Sequence, residues 1–186
     1  HMGLRSENRE LFRTMTAGCS IISLLELVCT MRSIIIFIKR NWKNIRRSDY
    51  SDRRVLLVED NDLNSEIASE IIGMTGASVE IVENGREAVE RIENASDNWY
   101  DIVFMDVQMP VMNGYEAAKR IRSLDREDAK RIPIIAMTAN AFAEDKMRAK
   151  EAGMDEHIAK PVDAKLLVKV IHKLVDWRKI LSEGDS

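Results

Sequence analysis

From residue 54 onward, short runs of consecutive apolar residues alternate with longer stretches in which apolar residues recur every three or four positions. The first pattern predicts strands buried on both faces, and the second predicts amphipathic helices. Arg54-Val55-Leu56-Leu57-Val58 opens the series as a strand. A helix from Asp62 to Met74 follows, with Leu63, Ile67, Ile71 and Ile72 on its core side and Gly76 just past its end. Ser78 to Val82 reads as the second strand, and 86–95 as a helix buried through Ala88, Val89 and Ile92. The third strand spans 101–105, and a helix over 114–123 packs Tyr115, Ala118 and Ile121. Strand four covers 132–137, followed by a helix from Ala141 to Ala152 with Phe142 and Met147 apolar. Strand five lies near 156–159, and a last helix from Asp163 to about Trp177 carries Leu166, Leu167, Val170, Ile171 and Leu174. Strict alternation of strand and helix implies an α/β fold: a parallel sheet with helices on both faces and right-handed crossovers. Periodicity does not set the strand order.

Residues 1–52 break that alternation. Ala17, Ile21, Leu24, Val28, Met31, Ile35, Ile38, Trp42 and Ile45 follow alternating four- and three-residue steps. Such a heptad seam favours a long helix packed on a partner helix, which makes a homodimer through this segment the expectation. A membrane anchor competes with it. Residues 19–38 have the length of a span, and Lys39, Arg40, Lys43, Arg46 and Arg47 follow as the positive-inside rule requires. Glu26 and Arg32 argue against insertion, each disfavoured by about 2.5–3.5 kcal/mol near a helix centre. His1-Met2 reads as a remnant of tag removal, and the polar run from Arg46 to Arg54 as a linker.

The strand ends carry the chemistry. Ile102-Val103-Phe104-Met105 runs into Asp106, and Pro110 and Asn113-Gly114 then open a loop. The first strand ends in Glu59-Asp60. Carboxyl ends of strands in open α/β sheets are where ligands bind. Two adjacent strands of this kind would gather three carboxylates, and like charges about 4 Å apart repel by about 4 kcal/mol at an effective dielectric near 20. A hard divalent cation such as Mg²⁺ removes that conflict. Strand four ends at Thr138, and His157-Ile158-Ala159 ends at Lys160-Pro161. A hydroxyl and an ammonium beside such a site suit the oxygens of a phosphoryl group.

Val58-Glu59-Asp60-Asn61, Met105-Asp106-Val107-Gln108-Met109-Pro110-Val111-Met112-Asn113-Gly114, Ala136-Met137-Thr138-Ala139 and Lys160-Pro161 together resemble the receiver domain of two-component response regulators. The likeness covers about residues 53–177, roughly two-thirds of the chain. Asn61-Asp62-Leu63-Asn64, Asn84-Gly85-Arg86-Glu87-Ala88-Val89 and Glu151-Ala152-Gly153-Met154-Asp155 are most similar to receivers of hybrid sensor histidine kinases. The resemblance implies a flavodoxin-like doubly wound (βα)5 sheet of order 2-1-3-4-5, before which the heptad stretch predicts an N-terminal helical extension. It implies Asp106 as nucleophile and phosphoacceptor, and Asp60, Asp106 and the Gln108 carbonyl as Mg²⁺ ligands, with Glu59 acting directly or through water. Lys160 would pair with a phosphoryl oxygen, Thr138 would switch, and the bond from Lys160 to Pro161 would be cis. One departure stands out: many receivers hold Tyr or Phe at the position of His157, so switching here would rest on the Thr138 loop. Gln108 and Asn140 would flank an attacking water. The implied partner is a histidine kinase or a histidine phosphotransfer domain, the implied setting cytoplasmic, and the chemistry self-phosphorylation and self-dephosphorylation rather than turnover of a free substrate.

Two other functions share parts of this pattern. A haloacid-dehalogenase-type phosphatase also uses a strand-end aspartate with Mg²⁺, but needs an acid two residues later, where this chain has Gln108. A receiver-like scaffold that no longer accepts phosphate would have no need of the full set Glu59, Asp60, Asp106, Thr138 and Lys160.

Charge narrows the partners. The net charge is −3, yet residues 1–52 carry nine Lys/Arg against five Asp/Glu, while 53–186 carry nineteen against twenty-six. The acidic part is a poor nucleic-acid binder, and the tail 178–186 is too short for a DNA-binding output domain, so no direct nucleic-acid contact is expected. Cys19 and Cys29 form no metal pattern. The expected organisation is an extension at 1–52, a receiver at 53–177 and a tail at 178–186.

Overall fold

The computed structural model describes residues 50–139, 142–164 and 166–173. The heptad stretch, the candidate membrane anchor, both cysteines, Asn140 and the tail lie outside the described residues. Among the described residues, no helix is long and apolar enough to cross a membrane.

The elements run β1 (Arg54–Val58), α1 (Asp62–Gly73), β2 (Ser78–Val82), α2 (Gly85–Asn94), β3 (Ile102–Asp106), α3 (Gly114–Ser123), α4 (Glu127–Arg131), β4 (Ile134–Thr138), α5 (Ala143–Glu151) and β5 (Glu156–Ala159). Residues 166–173 form a further helical stretch. The strands make one sheet of order β2-β1-β3-β4-β5, parallel throughout. The doubly wound expectation and its 2-1-3-4-5 order hold.

The apolar runs sit where their composition requires. Every residue of β3 and β4 is buried, as befits central strands covered on both faces. Ile71, Ile72, Ala88, Ile92, Ala117, Ala118 and Ile121 bring the helices onto the sheet. Leu63 and Ile67, expected on the core side, are only half-buried, with Ala68 taking the inner position on α1. Phe142 and Met147 are exposed, at 70 % and 61 %.

Asparagines start the first three helices. Asn61 accepts from the Asn64 amide, Asn84 from those of Arg86 and Glu87, and Asn113 from that of Glu116. Glu87 reaches back to the Glu83 amide and the Asn84 side chain, completing a reciprocal cap. Asn113-Gly114, expected to open a loop, is thus an N-cap and the first helical residue. At Gly114 a Cβ would collide with the backbone carbonyl of Asp106 and come within 3.0 Å of Met105 Cγ. Only glycine lets α3 start this close to the end of β3.

Three further features depart from the sequence expectations. Strands three and four are displaced: Asp106 is itself the last residue of β3, and β4 begins at Ile134. The segment 127–131, assigned to no element, forms α4, with Glu127 and Asp128 at its amino end, Lys130 and Arg131 at its carboxyl end, and Ala129 buried. That charge order complements the helix dipole. Tyr50, placed in a linker, is 7 % exposed, and its hydroxyl lies 2.7 Å from His172 Nδ1 on the last helical stretch.

Candidate acidic site at the carboxyl end of the sheet

Register assembles the site. Val58 lies opposite Met105, so the residues that follow, Glu59 and Asp106, leave the sheet side by side. Asp106 is paired with Met137 and Thr138 with Ala159, which brings Thr138 and Lys160 to the same rim. This is the point where strand order reverses about β1 and β3, the usual ligand crevice of such sheets.

Glu59 and Asp106 are buried, at 3 % and 4 % exposure, while Asp60 faces solvent. Carboxylate oxygens of the three lie within 4.8 Å of one another. Lys160 Nζ bridges two of them, 2.6 Å from Glu59 Oε2 and 2.7 Å from Asp106 Oδ2. The Gln108 amide donates to Asp106 Oδ1 at 3.1 Å, and Asn64 Nδ2 donates to Glu59 Oε1 at 3.0 Å. Burial pushes the Asp106 carboxyl above the ordinary carboxylate range, against the hydrogen bonds from Lys160 and the Gln108 amide. Burial also works against the Lys160 ammonium, but its bonds to Asp106 and Glu59 outweigh that and hold its pKa above the ordinary value. One ammonium among three carboxylates leaves the cluster two negative charges in excess, so a divalent cation suits it.

The loop after β3 is tightly built. Met112 N donates to the Pro110 carbonyl at 2.7 Å, closing a γ-turn around Val111, whose φ is 67°. Positive φ in a β-branched residue is strained, and strain of this kind gathers at functional loops. The Gly114 amide donates to the Val107 carbonyl at 3.1 Å, tying α3 to the turn. On the other side, Lys160 N donates to the Thr138 carbonyl at 2.7 Å, and the bond from Lys160 to Pro161 is cis as the resemblance implied.

The structure therefore brings Glu59, Asp60, Asp106, Thr138 and Lys160 to one crevice, with Gln108 on its edge. His157 stands apart. It lies on β5 opposite Ala136, with a side chain 26 % exposed and Nδ1 3.7 Å from Glu156 Oε1.

The response regulator receiver domain family matches residues 55–172. The chain belongs to that family. As a receiver it is 37 % identical over 121 residues to hybrid signal transduction histidine kinase L of Dictyostelium discoideum, a match covering 64 % of this chain and 7 % of that relative. The peroxide stress-activated histidine kinase of Schizosaccharomyces pombe is 33 % identical over 72 % of this chain and 8 % of its own length. The chain thus spans a small fraction of the curated relatives it matches. Among solved structures, the receiver domain of a Pseudomonas aeruginosa sensor histidine kinase, with magnesium coordinated in its active-site cleft, superposes with a TM-score of 0.61. Its identity is 35 %, covering 67 % of this chain and 98 % of that one. A Saccharomyces cerevisiae response regulator's receiver, crystallised with its histidine phosphotransfer protein, gives 0.61 at 32 % identity, covering 68 % of this chain and 90 % of that one.

Sequence reasoning missed two arginines that brace this receiver. Arg122 donates to the carbonyls of Gly153 and Ala129 and to Asp155. Arg126 donates to the carbonyls of Ile92, Glu93 and Ala95, closing the end of α2, and holds Asp128 with two nitrogens. No local pattern signals such long-range bonds.

Proposed function

We propose that Asp106 accepts a phosphoryl group from a phosphohistidine of a histidine kinase or histidine phosphotransfer domain, and that the acyl phosphate switches the domain. The bridge from Lys160 to Asp106 and Glu59 carries this reading, because it holds a nucleophilic carboxylate and a phosphate-seeking cation in contact inside an acidic crevice. An Asp106 oxygen attacks phosphorus, the P–N bond to the imidazole breaks, and the imidazole leaves with the electron pair. Lys160 passes from Asp106 to a phosphoryl oxygen, and the Gln108 amide keeps the carboxyl group oriented. Asp60, Asp106 and the Gln108 carbonyl are the residues to hold Mg²⁺, with Glu59 bound directly or through water. When bound, the ion supplies positive charge for the transferring oxygens. Thr138, at the end of β4, donates its hydroxyl to another phosphoryl oxygen and draws the following loop with it.

A homologous receiver crystallised with its histidine phosphotransfer protein supports this choice of partner. So do Val111 and Phe142, exposed at 67 % and 70 % in the segments that follow β3 and β4 at this end of the sheet. The relatives favour a place within, or beside, a hybrid histidine kinase. The receiver at 53–177 is then the phosphoacceptor, and the heptad stretch of 1–52 pairs two chains. Light scattering after deletion of residues 1–48 tests the pairing: a monomer supports it, and an unchanged dimer refutes it.

The test of the function is phosphotransfer. A histidine phosphotransfer protein carrying labelled phosphohistidine should pass its label to this chain and not to Asp106→Asn. Label retained by the donor in the presence of the folded wild-type chain and Mg²⁺ would overturn the reading for that class of donor.

A further inference from the structure

The chain has three tyrosines. Two have hydrogen-bond partners: Tyr50 meets His172 at 2.7 Å, and Tyr100 donates to Glu80 at 2.7 Å. The third, Tyr115, sits in the first turn of α3. Its hydroxyl oxygen is closed off from solvent and makes no hydrogen bond with any described residue. A buried hydroxyl without a partner disfavours the conformation that holds it, so such groups call for an explanation.

The surroundings offer one. Tyr115 lines a crevice of about 440 Å³ together with Asp60, Gln108 and Thr138 from the acidic site, and Asp145 and Arg148 from α5. The same space therefore reaches the switch threonine and the helix that follows it. Burial pushes the Tyr115 phenol up, the charge of Asp145 pushes it further, and Arg148 opposes them. Asp145 is thus an electrostatic neighbour of the phenol without being its hydrogen-bond partner. It belongs to the first turn of α5, a short connection beyond Thr138. Thr138 and the first turn of α5 border the same crevice. His157 does not share this crevice and lies beside Glu156 instead.

We propose that Tyr115 is a positioning residue of the switch, whose hydroxyl is unbonded before phosphorylation and donates to the Asp145 carboxylate once Thr138 is drawn to the phosphoryl group. Tyr115 touches neither metal nor phosphate. Its new bond lowers the free energy of the phosphorylated conformation alone, and so shifts a two-state equilibrium that Asp106 sets in motion. The inference rests on Asp106 being the phosphoacceptor.

Beryllium fluoride, which mimics a phosphoryl group on a carboxylate, provides the probe. Its apparent affinity for the full chain in saturating Mg²⁺ is measured by NMR titration, alongside the affinity for Mg²⁺ alone. Tyr115→Phe keeps the ring and removes the hydroxyl. The variant should bind beryllium fluoride about fivefold more weakly, the worth of one hydrogen bond, with Mg²⁺ affinity and unliganded thermal stability undiminished. Asp145→Ala, which removes the acceptor, should show a similar loss, and the double variant no more than either alone. Unchanged beryllium fluoride affinity in Tyr115→Phe, or additive losses in the double variant, would overturn the Tyr115 role and leave the phosphoacceptor standing. No beryllium fluoride binding by the wild type would overturn the phosphoacceptor reading, and this inference with it.

Discussion

Replacing Lys160 by methionine removes a cation and keeps most of the side-chain volume. The side chains of Glu59 and Asp106 are 2 % and 6 % exposed, and that of Lys160 17 %, so solvent screens their contacts poorly. At 2.6 and 2.7 Å, each ion contact corresponds to roughly 6 kcal/mol of attraction at an effective dielectric near 20. Carboxylate oxygens within 4.8 Å repel by roughly 3.5 kcal/mol or more per pair on the same scale. In the wild type the attractions offset the repulsions. The variant keeps only the repulsions, relieved in part by proton or cation uptake, and loses about 3 kcal/mol at pH 7 in EDTA, as expected for breaking a buried pair. Two conditions should return part of that loss. Mg²⁺ at a hundred times its dissociation constant stabilises a protein by about 2.7 kcal/mol, and the variant, freed of the competing ammonium, binds it more tightly than the wild type does. Lower pH acts in the same direction. Burial raises the Asp106 pKa and Lys160 opposes that rise, so without Lys160 the ionised carboxyl opposes folding more strongly than in the wild type, and this extra opposition fades as pH falls through the raised pKa. Urea unfolding followed by circular dichroism, in EDTA and in Mg²⁺, at pH 7 and pH 5.5, reads both effects. A loss below about 0.5 kcal/mol, or a gap that neither Mg²⁺ nor acid narrows, would refute the reasoning.

Gly114→Ala should lower stability by about 1–3 kcal/mol through overpacking against the Asp106 carbonyl, and should slow phosphorylation as well, because the displaced backbone carries the nucleophile; a neutral effect in both urea titration and phosphorylation assay would contradict the close approach. Asp128, held by Arg126, has its pKa lowered to about 2, so its contribution is present at neutral pH and fades as pH falls below about 4. With screening at the surface allowed for, Asp128→Asn should be destabilising by about 1–2 kcal/mol at pH 7, with the gap to wild type closing between about pH 4 and pH 2; a pH-independent gap would show that the ion pair is not its source. His157→Ala should leave phosphorylation-dependent partner binding within about twofold of wild type, as judged by calorimetry with and without phosphorylation, since His157 contacts Glu156 rather than the Thr138 crevice. A collapse of the phosphorylation-dependent difference would place the ring in the switch.

The legible parts of this protein are those written in consecutive residues. Apolar runs such as Ile102 to Met105 announce a buried strand wherever they occur, and the polar residue that ends each run marks the rim of the sheet. Asp106, Glu59, Asp60, Thr138 and Lys160 could therefore be placed at one end of the sheet before their contacts were known. The structure adds the distances and the bridging position of Lys160. What stayed hidden depends on partners distant in sequence. Arg126 reaches carbonyls more than thirty residues away, and nothing near it in the chain encodes them. Tyr50 looks like one aromatic in a polar run until His172 is folded against it. Helix α4 is five residues long, too short for an apolar period to show. Tyr115 was read as a packing residue, because a side chain's apolar ring is visible in a pattern and the isolation of its hydroxyl is not.

The central claim is that Asp106 is a Mg²⁺-dependent phosphoacceptor. Intact-mass analysis after incubation with acetyl phosphate tests it most directly, with and without Mg²⁺, on the wild type and on Asp106→Asn. The account predicts a single labile phosphoryl adduct that requires both Mg²⁺ and Asp106. An adduct that persists in Asp106→Asn, or that forms equally well in EDTA, would contradict it.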